Sequence, residues 1–211
     1  MTAAGGHRDR VEIIATVLLA VATVATAWSG YQSTRWNGEQ AKAGGRATAL
    51  RIESAKAAGL ANTQTGVDVA TFTQWVDAYA LHETELADFY FRRFRPEFKP
   101  AVDAWVATKP LKNRSAPLTP FAMPQYKLKA RADAERLDAA AAGFSARVLT
   151  NIQRASNYVL GVVLFASALF FGGMSAKLTT PRLRVAMLTI GCAIFVCTAV
   201  WMATSPISLS V

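Results

Sequence analysis

Three runs without a charged side chain, Ile13 to Trp28, Tyr158 to Ala176 and Val185 to Ala203, limit what this chain can fold into. They are 16 to 19 residues long, close to the roughly 17 to 25 residues an α-helix needs to cross the hydrocarbon core of a bilayer. Backbone polar groups find no water there, so an apolar run of this length is stable as a helix that satisfies them internally. The sequence therefore predicts an all-α membrane protein with three transmembrane helices and a helical bundle inserted between the first and second. The boundaries expected are a cytoplasmic N-terminus over 1–10, spans over 11–29, 157–176 and 185–203, an extracytoplasmic bundle over 30–156, a cytoplasmic loop over 177–184 and an extracytoplasmic tail over 204–211.

Composition supports this division. Over 211 residues, 52% are hydrophobic and mean hydropathy is +0.21, too apolar for an ordinary soluble domain and too polar for a chain lying wholly in lipid. Residues 30–156 hold 18 of the 23 Lys and Arg and 12 of the 14 Asp and Glu, enough polar surface for one water-exposed domain. The net charge of +9 is spread among carboxylates without a dense basic stripe, which argues against a nucleic-acid partner. Cys192 and Cys197 lie inside the third apolar run as small polarizable packing residues, so no disulfide framework is available to the polar segment.

Arg8 and Arg10 precede a run that ends Ala25-Thr26-Ala27, a small-residue pattern like a signal cleavage site. The run is longer than a usual signal core and continues into helix-compatible sequence, so a retained anchor is expected. Lys177, Arg182 and Arg184 crowd the short connection between spans two and three, and the positive-inside rule places that connection, and with it the N-terminus, in the cytoplasm. Trp28, Tyr31, Trp36, Tyr158 and Trp201 cluster at the opposite span ends and read as membrane-interface anchors.

The polar segment reads as helical. Trp36, Gln40, Ala43, Ala47, Leu50, Ser54, Ala57 and Ala61 recur at four and three residues, a heptad seam of mostly small side chains. A second helix is expected over 64–95, capped by Thr65 or Asp68, with Phe72, Trp75, Tyr79, His82, Leu86 and Phe89 on one stripe and Pro96 ending it. A short helix follows over 97–107, then a Pro-rich loop through Pro117, Pro120 and Pro124. The last polar helix, from Gln125, carries Leu137, Ala141, Phe144, Val148, Ile152, Ala155 and Val159 on one face and runs unbroken into span two. Gly30, Gly44, Gly45 and Gly59 are potential weak points in the first helix.

Candidate sites are few. His82, with Glu85 one turn on, lacks the second Glu-x-x-His pair and the inward carboxylates of a bundle metal centre, and reads as a hydrogen-bonded core or boundary residue. No catalytic, cofactor-binding or metal-ligating set is expected. The alternation of aromatics and cations from Phe89 to Lys99 marks Arg92, Arg93, Arg95, Phe98 and Lys99, with Trp105, as a candidate docking surface; the competing reading is a helix end whose rings fill the core while its cations face the C-terminal dipole. Thr16, Ala20, Thr23 and Ala27, with Gly191 on span three, are expected to pack helices closely within or between subunits. The spans carry no ionisable side chain at depth, which disfavours secondary transport.

The segments Ala27 to Trp36, Arg95 to Trp105, Pro120 to Met123-Pro124, Asn157 to Leu160 and Leu164 to Ser167 together resemble those of a family of bacterial three-span inner-membrane proteins of uncharacterised function. The resemblance covers nearly the whole chain and implies a bacterial cytoplasmic membrane, with no activity or site residue to carry over. The expectation is a non-enzymatic, multi-pass scaffold or accessory subunit of a membrane or envelope complex, embedded in the lipid bilayer and acting through a homo-oligomer or a membrane-protein partner. An oligomeric pore and an extracytoplasmic sensor with a separate output partner are the alternatives.

Overall fold

The computed structural model describes residues 3–208, with side chains from Val11 to Ser208. The basic pair Arg8 and Arg10, and the last three residues of the expected tail, lie outside the described side chains. Among the described residues all regular structure is helical: α1 (Ala3–Ala80), α2 (Thr84–Arg92), α3 (Lys99–Ala107), one turn of 3-10 helix (Pro120–Ala122), α4 (Lys129–Lys177) and α5 (Pro181–Ala203). Three of these, α1, α4 and α5, are long and apolar enough to cross a membrane. The chain divides into two compact units, Met1–Gly45 with Phe144–Val211, and Arg46–Gly143.

The first unit is built from parts of α1 and α4 and all of α5. The inward face of α1 runs Ala15, Leu18, Ala22, Ser29, Gln32 and Trp36. Along α4 the buried positions Ala155, Tyr158, Phe165, Ala168 and Ser175 repeat at similar spacing, the periodicity that keeps one seam facing a partner. The two seams meet antiparallel: Trp36 packs on Ala155 and Tyr158, while a Cβ built on Gly172 would come within 3.2 Å of Leu18. The third helix, α5, meets α1 through Leu188, which joins Ala15 and Leu18 with Cys192 and Phe195 around them, and meets α4 where Phe195 approaches Phe165. Gly191 lies close against the backbone of α4. A side chain there would begin 3.2 Å from the Ala168 carbonyl oxygen and 3.3 Å from the Gly172 nitrogen, both of them backbone, so even a methyl group requires the neighbouring helix to give way slightly and a larger side chain requires more.

In the second unit the same α1 seam continues through Ala47 and Ala61 to Asp68. It faces the start of α4: Ser54 Oγ donates to the Ala134 carbonyl at 2.8 Å, and Ala61 packs with Leu128 and Ala130. No helix ends between 61 and 64, where the sequence suggested one. The helix instead stays regular through Gly30, Gly44, Gly45 and Gly59 and stops at Ala80. The expected single helix over 64–95 is broken at 81–83. There His82 takes a left-handed backbone, φ 61°, its N–H bonds the Tyr79 carbonyl and the Glu83 N–H reaches back to Ala78. This is the two-bond pattern of a Schellman stop, with histidine where glycine is usual.

Candidate functional site

The most heavily built polar site lies in the second unit, where Asp68 of α1 is fully buried. Arg95, in the link between α2 and α3, donates from Nη1 to Asp68 Oδ2 at 2.8 Å. Its Nη2 donates to Glu97. The Tyr126 hydroxyl donates to the same Asp68 oxygen at 3.1 Å and lies 3.3 Å from Thr65 Oγ1. Glu97 completes the circuit by accepting the Lys129 backbone N–H at 3.2 Å, so a carboxylate from another element satisfies a free N–H at the start of α4 and complements its dipole. One arginine thus ties α1, the α2–α3 link and the start of α4 together.

Asp68 Oδ1 accepts no hydrogen bond from the described residues. Burial pushes the Asp68 carboxyl above its ordinary value, with Tyr126 and Arg95 pulling the other way. Burial likewise raises the Tyr126 phenol. Beneath the ion pair lies an aromatic core: Phe98 stacks on Phe121 with centroids 5.0 Å apart, Phe94 and Tyr126 meet Phe98 edge-on, and Phe72 approaches Phe98, Trp105 and Phe121 the same way. Such rings bury large areas with preferred edge-to-face geometry. The arrangement holds charge and fixes three segments. Among the described residues no three His, Cys, Asp or Glu side chains are gathered to hold a metal ion.

The cluster singled out as a docking surface divides between outside and inside. Arg92 and Arg93 are exposed, with Arg93 over the Phe89 ring at 3.7 Å. Lys99 is half-buried, 5.3 Å from the Phe91 ring centre. Arg95 belongs to the ion-pair node, and Phe98, wholly buried, is core and not surface. Trp105 is half-buried, its indole N–H bonded to the Pro117 carbonyl at 2.7 Å. His82 is exposed in its turn.

In the first unit the interface aromatics also divide. Trp28 and Tyr31 are exposed and lie 5.9 Å apart, and Trp201 is half-buried. Trp36 and Tyr158 are buried, and both donate to the Pro206 carbonyl at 3.2 Å. Gln32 completes the clasp by accepting the Ser208 N–H at 2.9 Å. The segment after α5 is therefore fastened to α1 and α4. Thr16, Ala20, Thr23 and Ala27 lie on the exposed face of α1, one position away from its buried seam, whereas Gly191 is buried against α4.

Sequence reasoning passed over Asp68 as an acid, Glu97, Tyr126, Gln32, Pro206 and Ser208. Asp68 had a signal: it stands seven residues after Ala61, on the continuation of the heptad seam. Gln32 and Ser208, 176 positions apart, had none. Comparison with family models, with curated proteins and with solved structures gave no match.

Proposed function

We propose that the chain is a non-enzymatic integral protein of a bacterial cytoplasmic membrane, with its N-terminus in the cytoplasm and residues 30–156 forming an extracytoplasmic helical bundle. It serves as a scaffold or accessory subunit, through self-association or a membrane-protein partner. The observation that carries this reading is the outward face of the first unit. Ile13, Val17, Val21 and Val24 on α1, Val163 and Phe170 on α4, and Ile190 and Val196 on α5 are all exposed and uncharged, as lipid-facing or helix-facing surface must be. Among them the small residues Thr16, Ala20, Thr23 and Ala27 remain uncovered by the chain's own helices, which leaves α1 free to pack closely on another helix. Support for the sidedness comes from Glu12 and Arg184, 3.9 Å apart, which put the start of α1 at the same end of this unit as the basic connection.

Native mass spectrometry of the protein in nanodiscs tests the assembly, and the expected result is a homo-oligomer or a co-purifying membrane protein. A monodisperse, partnerless monomer overturns the proposal. Sidedness is checked with Cys192 and Cys197 replaced and Ser115, which is exposed, changed to cysteine. An impermeant maleimide should label it in intact spheroplasts; labelling only after lysis reverses the orientation.

A further inference from the structure

Within the second unit the last turns of α1, the end of α3 and the turn that follows it enclose a groove of about 440 Å³, a size typical of small-molecule sites. Its aromatic walls are Trp75, Tyr79 and Trp105. The indole N–H of Trp105 is already spent on the Pro117 carbonyl, so this ring offers the groove an apolar face and no donor. Val76, Val106 and Leu111 add aliphatic surface, and Leu111 is 84% exposed on its turn. An apolar side chain held this openly beside a groove loses contact with water once the groove is filled.

The charge in the groove is all of one sign. Lys109 and Lys112 line it, and no Asp or Glu is among its described lining residues. Lys109 is set in place by the backbone, since it ends α3 in a left-handed conformation, φ 54°, with its N–H on the Val106 carbonyl. Pro110 follows, and proline cannot continue the helix. A neighbouring cavity of about 490 Å³ shares Trp75 and Tyr79 but carries Asp88 and His82, so the two sides of the Tyr79 ring differ in charge chemistry.

We propose that the groove between Trp75, Trp105 and Leu111 binds an anionic amphiphile, a single medium-length acyl chain whose carboxylate or phosphate head meets Lys109 and Lys112. The tail lies along the aromatic and aliphatic walls, and the head takes the only charge complementarity the groove offers. A free fatty acid and a lysophospholipid share this chemistry.

The test uses the full-length protein in nanodiscs and a diazirine-bearing dodecanoate, with the photolabel mapped by peptide mass spectrometry. Saturable labelling of the segment 105–112 is expected, displaced about tenfold more effectively by an anionic dodecyl competitor than by dodecyltrimethylammonium. Dodecanoate and dodecanoyl lysophosphatidylglycerol are run separately, and the better competitor identifies the source. Lys109→Glu with Lys112→Glu should reverse the charge preference. Leu111→Ser, on an exposed turn and so harmless to folding, should weaken labelling by either probe. Circular dichroism verifies that each variant is folded. Labelling confined to the apolar helices, equal displacement by the cationic surfactant, or a charge-reversed variant with unchanged preference would each overturn the proposal.

Discussion

Asp68 illustrates how one residue can be costly to bury and still necessary. Its carboxylate is withdrawn from water, which is unfavourable alone, and is held by Arg95 and Tyr126. Replacing it with alanine leaves the Tyr126 hydroxyl with only the longer contact to Thr65 and Arg95 with Glu97 alone, and should cost about 2–4 kcal/mol in denaturant unfolding at neutral pH. The pH dependence has a definite sign. Burial raises the folded-state value of this carboxyl, so the folded form binds the proton more tightly. Its contribution to stability is complete below the unfolded-state value near ~4 and is lost as pH rises through the higher folded-state value. Asp68→Asn should therefore flatten that part of the stability profile when unfolding is followed from acid to neutral pH; an unchanged slope would show that Asp68 does not titrate there. Asp68 was legible as polar but not as buried, because an aspartate ahead of an apolar stripe also fits a helix cap.

At the scale of the element, the limits of the helices depend on backbone features that sequence types report unequally. Proline shows the end of α3 plainly, since it carries no N–H and restricts its neighbour, whereas α2 already stops at Arg92, ahead of the expected end at Pro96. The stop after Ala80 has neither glycine nor proline, so the Schellman turn at His82 could not be read from Leu81-His82-Glu83. His82→Gly should raise stability by about 0.5–1 kcal/mol by relieving the left-handed backbone, and His82→Val should lower it by about 1–2 kcal/mol. Thermal melts of the pair should move in opposite directions. The seam of α1 was readable from Trp36 to Ala61 because small apolar residues repeat there; Gln64 and Asp68 hid its extension. On α4 the expected Ala141 and Ala155 are buried, while Ile152 and Val159 are exposed and Tyr158 takes the buried place beside Val159. Inside the apolar run of α1 every residue is apolar or small, so hydropathy alone does not say which face meets the chain's own helices and which stays uncovered. Gly191 was correctly noticed as small, and the structure supplies the reason. Gly191→Leu should separate α5 from α4 and cost about 3 kcal/mol or more, read as a lower melting temperature in nanodiscs, while Gly191→Ala should be much milder.

For the molecule as a whole, three apolar helices were the most legible feature, because hydrocarbon solvent penalises each charge so heavily that their absence over a span is informative. The outer surface of the first unit should accept substitutions by lipophilicity and not by packing. Val163 is 54% exposed, and Val163→Lys should raise the apparent insertion free energy by about 2–4 kcal/mol in a translocon assay, whereas Val163→Leu should leave it unchanged. Equal insertion of the lysine variant would remove α4 from the lipid. The proposed assembly and the proposed ligand are the least legible, since both depend on which outward side chains stay uncovered after folding, a property of three-dimensional packing that local periodicity does not carry.

Fastening the residues after α5 to Gln32, Trp36 and Tyr158 changes how the chain bears load. Tension applied at Ser208 enters α1 and α4 at once, and α5 is shielded from being peeled away by itself. Optical-tweezers extension from that end should therefore show a first rip at high force that Gln32→Ala lowers, making the clasp a mechanical rivet for a helix with only a short hinge at its other end.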